Sequence, residues 1–284
     1  MTVKETSDFI SKELQSIYPD SEISTITHLI FSELLNFKRF DAVLRAGSLL
    51  PEHAELQIYN IIEQLKRHRP IQYVLGCTEF YGLPFSVSES VLIPRPETEE
   101  LVHCIVGDYK NRKPRIVDFG TGSGCIAITL AKELPGAEVL AVDVSPEALS
   151  MARKNAERNQ VNVEFLQLDI LSSTFPDLGG FDVIVSNPPY VTQAQKSDMD
   201  ANVLDYEPHL ALFVPENDPL LFYKAIGRFA QKSLNPGGGL YFEINEDLPY
   251  ETASAIEKLG FSAELKKDLN DKFRMLKAVR NDKG

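Results

Sequence analysis

Residues 115–124 read Arg-Ile-Val-Asp-Phe-Gly-Thr-Gly-Ser-Gly, and this stretch decides the fold class. Its first five residues predict a strand that ends in glycines, and the apolar residues 126–134 predict a helix directly afterwards. Glycines in such a turn let the backbone approach a ligand closely and adopt angles that are closed to other residues. A strand, a glycine turn and a helix in succession therefore indicate an α/β unit with a ligand-binding loop.

Alternating strands and helices flank this stretch, from about residue 97 to the C-terminus. Units of this kind specify a mostly parallel, here seven-stranded, sheet with helices on both faces, an α/β fold. In such sheets ligands bind at the carboxyl ends of the strands. The predicted helices are 97–106, 126–134, 146–159, 220–234 and 249–259, and the predicted strands are 115–119, 138–143, 163–168, 181–186, 240–244, 262–267 and 275–279.

The N-terminal part has a different pattern. Up to about residue 70, apolar residues recur at helical spacing and strand signals are almost lacking, which predicts a small helical bundle. Beyond it, short β-like pieces such as 73–76 and 78–82 are punctuated by glycine and indicate a β-hairpin linker. The expected domain boundaries are therefore 1–70, 71–95 and 96–284.

The composition excludes several classes of protein. Hydrophobic residues make up 43% and charged residues 25% of the chain, an ordinary globular mixture. A formal net charge of −12 argues against a sequence-independent grip on DNA or RNA, which needs a basic surface. Three cysteines without a CxxC pair or a Cys/His cluster indicate neither a zinc site nor a disulfide framework. No apolar run has the length of a membrane span, and we expect a soluble, cytoplasmic protein without a metal.

Acidic residues end the two strands that follow the glycine loop. Asp143 lies where an acid that accepts both hydroxyls of a ribose belongs, and Asp169 could accept from an adenine amino group, with Ile170 packed on the ring. The glycine spacing is Gly-x-Gly-x-Gly rather than Gly-x-Gly-x-x-Gly, which favours a cofactor without phosphates. Taken singly, each glycine is a turn and each Asp is a solvated strand end. Together, three consecutive strand ends indicate a cofactor site.

This pattern resembles the class I S-adenosylmethionine-dependent methyltransferases, which have a Rossmann-like sheet. The resemblance implies that the glycine loop wraps the methionine part of the cofactor, that Asp143 holds its ribose, and that S-adenosylhomocysteine is the product. The residues expected to surround the cofactor are Asp118, Gly120, Thr121, Gly122, Ser123, Gly124, Asp143, Asp169, Ile170 and Asn187.

Asn187-Pro188-Pro189-Tyr190 follows the strand 181–186 and suits the recognition of a planar –NH2 group. Two consecutive prolines make the loop rigid and leave its carbonyls without competing N–H donors. The Asn187 side-chain oxygen and the Pro188 carbonyl can each accept one hydrogen of the –NH2, and the Tyr190 ring can stack on its plane. On its own, the segment is compatible with recognition of an adenine or guanine amino group or of a glutamine amide, and also with a turn that binds nothing.

Residues 92–99, Leu-Ile-Pro-Arg-Pro-Glu-Thr-Glu, narrow the choice. They resemble the signature of the bacterial release factor glutamine methyltransferases, the HemK-type family, whose motif order essentially the whole chain follows. The resemblance implies methyl transfer from S-adenosylmethionine to the side-chain amide nitrogen (N5) of the glutamine in the Gly-Gly-Gln motif of peptide chain release factors. The residues it implies for holding or buttressing that amide are Asn187, Pro188, Pro189, Tyr190 and Arg95.

Two further positions bear on the edges of the site. Glu207 lies in a Glu-Pro segment like that of the family, but the end of a helix or loop that is ordered by Pro208 explains it about equally well. Asp271 stands where the family often has glycine, in Asp-Leu-x-Gly-x-x-Arg, so the family's turn geometry before Arg274 does not follow from this sequence, whereas Arg274 itself matches.

Two rival functions stay open. A nucleic-acid amino methyltransferase would use the same chemistry but predicts a basic groove, which a charge of −12 disfavours. A non-catalytic cofactor-binding or scaffold protein predicts the loss of a site element, and every expected element is intact. We therefore expect a monomeric enzyme with release factors as partners and without direct nucleic-acid or membrane contact. Its helical part, 1–70, is expected to dock the substrate protein, and 96–284 to be catalytic.

Overall fold

A computed structural model describes residues 1–172 and 176–281 of the chain. The chain divides into two compact units, Met1–Gly76 with Asp200–Tyr206 and Cys77–Met199 with Glu207–Gly284. The predicted domain 96–284 includes residues 173–175 and 282–284, which lie outside the described residues.

Helices make up the N-terminal unit, and the larger unit mixes helices with strands. The N-terminal unit contains α1 (Val3–Leu14), α2 (Asp20–Leu35), α3 (Asp41–Leu44), α4 (Glu52–Leu65), α5 (Ile71–Leu75) and α9 (Ala201–Tyr206). The helices of the larger unit are α6 (Pro96–Tyr109), α7 (Cys125–Glu133), α8 (Pro146–Asn159), α10 (His209–Leu212), α11 (Leu221–Ser233) and α12 (Pro249–Glu257), with a 3-10 helix over Gln193–Asp198. Its strands are β1 (Cys77–Phe80), β2 (Leu83–Ser86), β3 (Arg115–Phe119), β4 (Glu138–Asp143), β5 (Glu164–Gln167), β6 (Phe181–Ser186), β7 (Leu234–Glu243), β8 (Phe261–Lys267) and β9 (Phe273–Arg280).

The N-terminal unit is a bundle of amphipathic helices. α1 begins with a capping box, in which the Thr2 hydroxyl accepts from the Glu5 N–H and the Glu5 carboxylate accepts from the Thr2 N–H. One apolar face each of α1, α2 and α4 forms the core of this unit. α9, distant in sequence, joins the same unit, where the Tyr206 hydroxyl donates to the Arg67 carbonyl at 2.8 Å.

The extended conformation predicted for residues 73–76 was wrong, because Ile71–Leu75 is the short helix α5. Pro70 lies at its N-terminal boundary, and Gly76 ends it in the left-handed region at a φ of 73°. Tyr73 is buried, and Ile71, Val74 and Leu75 pack against the core of the N-terminal unit. This packing overrides the strand preference of the β-branched and aromatic residues.

β1 and β2 form a two-stranded antiparallel hairpin in the larger unit. Its two-residue turn, Tyr81-Gly82, has positive φ at both positions, as the tight turn that matches the twist of a hairpin requires. The side chain of Asn155 on α8 fixes the hairpin, since its Oδ1 accepts from the Ser86 N–H at 2.7 Å and its Nδ2 donates to the Ser86 carbonyl at 2.9 Å.

The predicted seven-stranded, mostly parallel sheet is confirmed. Its strand order is β5-β4-β3-β6-β7-β9-β8, in which β9 alone runs opposite to the other six strands. The order reverses at β3, because β4 and β5 lie on one side of it and β6 and β7 on the other. Ligands bind outside the carboxyl ends of strands at such a reversal, which here are the ends of β3, β4 and β6.

Helices cover both faces of this sheet. Successive residues of β3 divide between two cores: Ile116 packs with α6, α7 and α8, whereas Val117 packs with α11 and α12. Full burial of such an aliphatic side chain contributes roughly 1.5–3 kcal/mol. β7 begins earlier than predicted, at Leu234, because the sequence Pro236-Gly-Gly-Gly is absorbed in a register shift against β6 instead of forming a loop before the strand.

Candidate active site

A cavity of about 470 Å³ opens at the carboxyl ends of β3, β4 and β6, within the larger unit. It brings together both predicted groups of residues, the cofactor loop and the Asn-Pro-Pro segment. The predicted site residues that line it are Gly120, Gly122, Asp143, Asp169, Ile170, Asn187, Pro188 and Pro189.

The glycines of the loop after β3 serve two purposes. Gly120 and Gly122 have φ of 69° and 56°, and a Cβ atom at either would meet no described atom within 4 Å, so this surface of the loop is open. Gly124 differs, since a Cβ there would lie 2.8 Å from Cδ1 of Ile128 and 3.1 Å from Cβ of Ala152. The first two glycines therefore suit close approach of a ligand, and the third suits packing of α7 on α8.

Asp118 and Thr121 lie beneath the loop, and neither is among the described lining residues of the cavity. The Thr121 hydroxyl donates to Oδ2 of Asp118 at 2.6 Å. Complete burial raises the pKa of Asp118 from 3.8 to about 7, although the Thr121 hydrogen bond opposes the rise. Ser123 is also buried, and its carbonyl accepts from Nδ2 of Asn155. These residues shape the loop from behind.

Asp143 lies at the end of β4 with its carboxylate at the cavity wall. Oδ2 accepts from the Gly122 N–H at 2.9 Å, and Oδ1 accepts from the Ser145 N–H at 3.0 Å. Each oxygen keeps a second lone pair, so two neighbouring hydroxyls could donate to it. Burial raises the pKa of Asp143, while the backbone N–H donors lower it.

The far end of the cavity is formed by the residues that follow β5. Asp169 is exposed, and its Oδ1 accepts from the Leu171 N–H at 2.8 Å. Ile170 and Leu168 give this end an apolar wall. Three carboxylates, Asp143, Glu147 and Asp169, line the cavity, and its described lining includes no lysine or arginine. Such a lining suits a cationic ligand and supplies no described cationic side chain to a phosphate.

The Asn-Pro-Pro-Tyr segment leaves β6 beside the glycine loop. Ser186 pairs with Phe119 across β6 and β3, and its hydroxyl donates to the Phe119 carbonyl at 2.7 Å. Asn187, Pro188 and Pro189 line the cavity. Tyr190 is not among the described lining residues, and its hydroxyl donates to Oε1 of Glu243 at 3.2 Å. Burial raises the pKa of Tyr190, which therefore stays a neutral hydroxyl.

Two polar residues behind Asn187 were not predicted for the site. Nδ2 of Asn187 lies 3.2 Å from the Thr98 hydroxyl, and that hydroxyl lies 2.5 Å from Oε2 of Glu243. Thr98 and Glu243 are both almost fully buried. Thr98 belongs to the segment 92–99, and the signal for Glu243 was a carboxylate in the apolar strand 240–244, because buried charges need partners.

Arg95 is the N-cap residue of α6 and forms an ion pair with Glu207. The other carboxylate oxygen of Glu207 accepts from the Ile93 N–H at 3.3 Å. Burial raises the pKa of Glu207, and the nearby guanidinium of Arg95 opposes that rise. The pair joins the segment before α6 to the segment before α10, and Pro208 in that second segment lines the cavity.

The turn before β9 keeps the conformation for which glycine is suited. Asp271 has a φ of 63°, in the left-handed region that Asp tolerates better than most residues. Its N–H donates to the Asp268 carbonyl, and the Asp268 carboxylate accepts from the Asn270 and Lys272 N–H groups. Arg274 beyond it donates to Glu246 at 2.7 Å.

Residues 1–172 and 176–281 contain neither a cluster of metal-binding side chains nor a helix suited to a membrane. No group of three or more His, Cys, Asp or Glu side chains is arranged to hold a metal ion there. None of the helices in this part of the chain combines the length and the apolar character that crossing a bilayer requires.

Comparison with known proteins places the chain in a family. Residues 7–76 match the PrmC N-terminal domain, and residues 97–205 match the methyltransferase small domain. A methyltransferase structure from Pyrococcus furiosus is similar with a TM-score of 0.52 and 21% identity, covering 80% of this chain and 98% of that one, which concerns the fold alone. A release factor glutamine methyltransferase of Flavobacterium psychrophilum is 47% identical over 98% of this chain and 99% of its own length. Another, of Bacteroides thetaiotaomicron, is 44% identical over 96% and 98%. The chain belongs to the family of release factor glutamine methyltransferases.

Proposed function

We propose that this chain transfers a methyl group from S-adenosylmethionine to N5 of the glutamine in the Gly-Gly-Gln motif of peptide chain release factors. The chain is similar to proteins named release factor glutamine methyltransferase over nearly their full length. The observation that carries the proposal is a shared cavity: Asn187 and Pro188 line the same space as Gly120, Gly122 and Asp143. The segment suited to binding an –NH2 group and the loop suited to binding the cofactor thus line one cavity.

The cavity suits this cofactor in its chemistry. Gly120 and Gly122 would lie against the methionine part, Asp143 would accept from the ribose hydroxyls, and Asp169 with Ile170 would meet the adenine. The carboxylate-rich lining favours a cationic ligand. When bound, S-adenosylmethionine supplies a methyl group on a positively charged sulfur, which is electrophilic, and S-adenosylhomocysteine is the product.

The protein has to make an amide nitrogen nucleophilic. The lone pair of that nitrogen is delocalised into the carbonyl, so the free amide reacts poorly. Oδ1 of Asn187 and the carbonyl of Pro188 would each accept one N–H of the substrate and return electron density to the nitrogen as it pyramidalises. Positioning of the two reactants can lower a barrier by roughly 7–11 kcal/mol at best. The surplus proton becomes acidic after transfer and can leave to water, so the proposal needs no general base.

Recognition of the whole release factor is proposed for the N-terminal unit. Four large apolar side chains lie exposed on its surface within ten residues: Phe40, Val43, Leu44 and Leu49, which we call the 40–49 patch. Each is at least 68% exposed, whereas single soluble domains seldom expose such groups together. The neighbouring cations Lys38, Arg39 and Arg45 would attract an acidic partner to this patch in a chain whose net charge is −12.

The net charge of −12 also supports a protein rather than a nucleic acid as substrate. None of the three cysteines, all described, forms a disulfide, which accords with a reducing cytoplasm, and we include a monomeric state in the proposal.

The decisive experiment is methylation of a purified release factor with labelled cofactor, followed by mapping of the methyl group by mass spectrometry. Label on the glutamine of Gly-Gly-Gln is expected, and a release factor with that glutamine replaced by alanine should take up none. Label on DNA or RNA, with none on the glutamine, would favour the nucleic-acid alternative and overturn the proposal.

A further inference from the structure

Behind the cavity, a chain of hydrogen bonds connects Asn187 to a buried carboxylate. Nδ2 of Asn187 lies 3.2 Å from Oγ1 of Thr98, and Oγ1 lies 2.5 Å from Oε2 of Glu243. The other oxygen of that carboxylate, Oε1, accepts from the Tyr190 hydroxyl at 3.2 Å. Glu243 thus contacts, directly or through one hydroxyl, both ends of the Asn-Pro-Pro-Tyr segment.

The chemistry of these groups gives the hydrogen bonds a direction. The Thr98 hydroxyl donates to Oε2 of Glu243 and the Tyr190 hydroxyl donates to Oε1, so the single hydroxyl proton of Thr98 is committed to Glu243. Oγ1 of Thr98 can then only accept from its other neighbour. The side-chain amide of Asn187 has one end that donates and one that accepts, and only its Nδ2 end can satisfy Thr98. Oδ1 is therefore left as the group that Asn187 offers to the cavity.

We propose that Thr98 and Glu243 are positioning residues that hold the Asn187 amide with its oxygen toward the substrate –NH2. The proposal rests on the function proposed above, since it explains how Asn187 presents an acceptor to a glutamine amide. A reversed Asn187 would set its own N–H groups against those of the substrate. The substrate nitrogen would then lose one of its two acceptors and would carry an unsatisfied donor.

The location of Glu243 is hard to explain by stability alone. It is 2% exposed on the interior strand β7, where an apolar side chain would avoid the cost of removing a charge from water. Burial raises the pKa of Glu243, whereas the hydroxyl donors of Thr98 and Tyr190 and the nearby positive charge of Arg274 lower it and so reduce that cost. A carboxylate that is kept in this position with its donors satisfied is suited to imposing one direction on the groups around it.

Substitution of Thr98 separates the direction of the hydrogen bonds from simple packing. Thr98→Val keeps the shape of the side chain but removes the hydroxyl, whereas Thr98→Ser keeps the hydroxyl. We expect Thr98→Val to lower kcat on a release factor at least about tenfold, because the reacting amide nitrogen of the substrate loses one of its two hydrogen-bond acceptors. Thr98→Ser should stay within about threefold of the unchanged chain on the same reasoning. Both should bind S-adenosylhomocysteine as the unchanged chain does.

Thr129→Val is the matched control, because Thr129 is a fully buried threonine of α7 whose hydroxyl has no hydrogen-bond partner in the described chain. It should leave kcat unchanged. The proposal is overturned if Thr98→Val retains full kcat, if Thr98→Ser is as impaired as Thr98→Val, or if Thr98→Val loses cofactor binding in the same proportion as kcat.

A measurement without turnover keeps this inference distinct from the proposed function. In nitrogen-15 spectra the side-chain NH2 of Asn187, assigned by its loss in Asn187→Ala, should contain a proton that is protected from exchange with solvent. Protection should vanish in Thr98→Val and persist in Thr98→Ser. An unchanged spectrum in Thr98→Val refutes the proposed direction of the hydrogen bonds even if release factors are methylated. Conversely, a chain with the expected spectra but no label on Gly-Gly-Gln refutes the function and leaves the hydrogen-bond direction established.

Discussion

The carboxylate of Asp143 accepts a hydrogen bond of 2.9 Å from the backbone N–H of Gly122. The two residues end different parts of the sheet, Asp143 at β4 and Gly122 in the loop after β3. The acid that we propose for the ribose therefore also fixes the glycine loop that we propose for the methionine part. Because the loop conformation depends on this carboxylate, binding of the cofactor should be sensitive to its removal beyond the loss of the direct contact.

Asp143→Ala should weaken the binding of S-adenosylhomocysteine by roughly 10- to 150-fold, since hydrogen bonds to a charged group contribute about 1.5–3 kcal/mol. Asp143→Asn keeps one acceptor oxygen and should lose less. Isothermal titration calorimetry gives both affinities. Glu138→Ala, at the opposite and exposed end of the same strand, is the control and should bind normally. Unchanged binding by Asp143→Ala would show that Asp143 does not hold the cofactor.

Asn187→Ala should have the opposite pattern, with the methyl transfer rate reduced by about 10²–10³ and the cofactor affinity largely kept. The estimate follows the loss that accompanies removal of one group that stabilises the reacting amide in the transition state. Single-turnover transfer to a release factor measures the rate, and calorimetry with S-adenosylhomocysteine measures the affinity. An Asn187→Ala enzyme of full activity would disprove the amide clamp.

The strand ends of the site could be predicted because each depends on local sequence. β3, β4 and β6 are short apolar runs followed by turn residues, and a parallel sheet brings their carboxyl ends to one edge. Thr98 and Glu243 could not be joined in this way, since 145 positions separate them and their contact exists only after α6 packs beside β7. A buried acid indicates in sequence that a partner exists but does not say which.

The errors have physical reasons of their own. Residues 71–75 have a strand-like composition, yet contacts with the helical core decide their conformation. The turn at Asp271 stayed open in the sequence, and it has a positive φ there, which Asp can adopt at a modest cost while Asp268 accepts from two backbone N–H groups. Local preference was a poor guide wherever tertiary contacts or side-chain hydrogen bonds made up the difference.

Asp118→Asn should stabilise the cofactor-free protein in a pH-dependent manner. Burial raises the pKa of Asp118 from 3.8 to about 7, because the folded chain favours the protonated carboxyl over the ionised one. This contribution to stability is complete below pH 3.8 and is lost as the pH rises to about 7. The free energy of unfolding of Asp118→Asn should therefore exceed that of the unchanged chain by a difference that grows between those values. At about 1.36 kcal/mol per pKa unit, the plateau above pH 7 is about 4 kcal/mol.

Urea denaturation at a series of pH values measures this difference. Asparagine still accepts from the Thr121 hydroxyl, so the variant changes the charge with little change of shape. Glu257→Gln, an exposed change on α12, serves as the control and should show no comparable growth with pH. A constant difference for Asp118→Asn from acid to neutral pH would contradict the raised pKa.

Arg95→Ala should destabilise the larger unit because it leaves the Glu207 carboxylate buried without its cation. Breaking a fully buried pair costs roughly 3–5 kcal/mol, and about 2–3 kcal/mol is expected here since Arg95 itself is about one-third exposed. Adding Glu207→Gln should recover part of the loss, as glutamine is neutral and can still accept from the Ile93 N–H. Chemical denaturation of the two single variants and the double variant measures the coupling, and strictly additive losses would show that the pair does not act as a unit.

The 40–49 patch of the N-terminal unit predicts a loss of substrate recognition that spares the chemistry. Leu44 is 80% exposed, so Leu44→Asp should fold normally while placing a negative charge in the apolar surface. We expect KM for a full-length release factor to rise at least about tenfold, as the loss of one central apolar contact costs more than 1 kcal/mol at many interfaces. Because a short peptide that contains Gly-Gly-Gln lacks the rest of the release factor that the patch is proposed to bind, its turnover should be unchanged. Leu269→Asp, at a leucine of the larger unit that is 91% exposed, is the control and should alter neither substrate. Equal losses on protein and peptide would locate the effect of Leu44 in the fold rather than in docking, and no loss on either would remove the patch from the recognition surface.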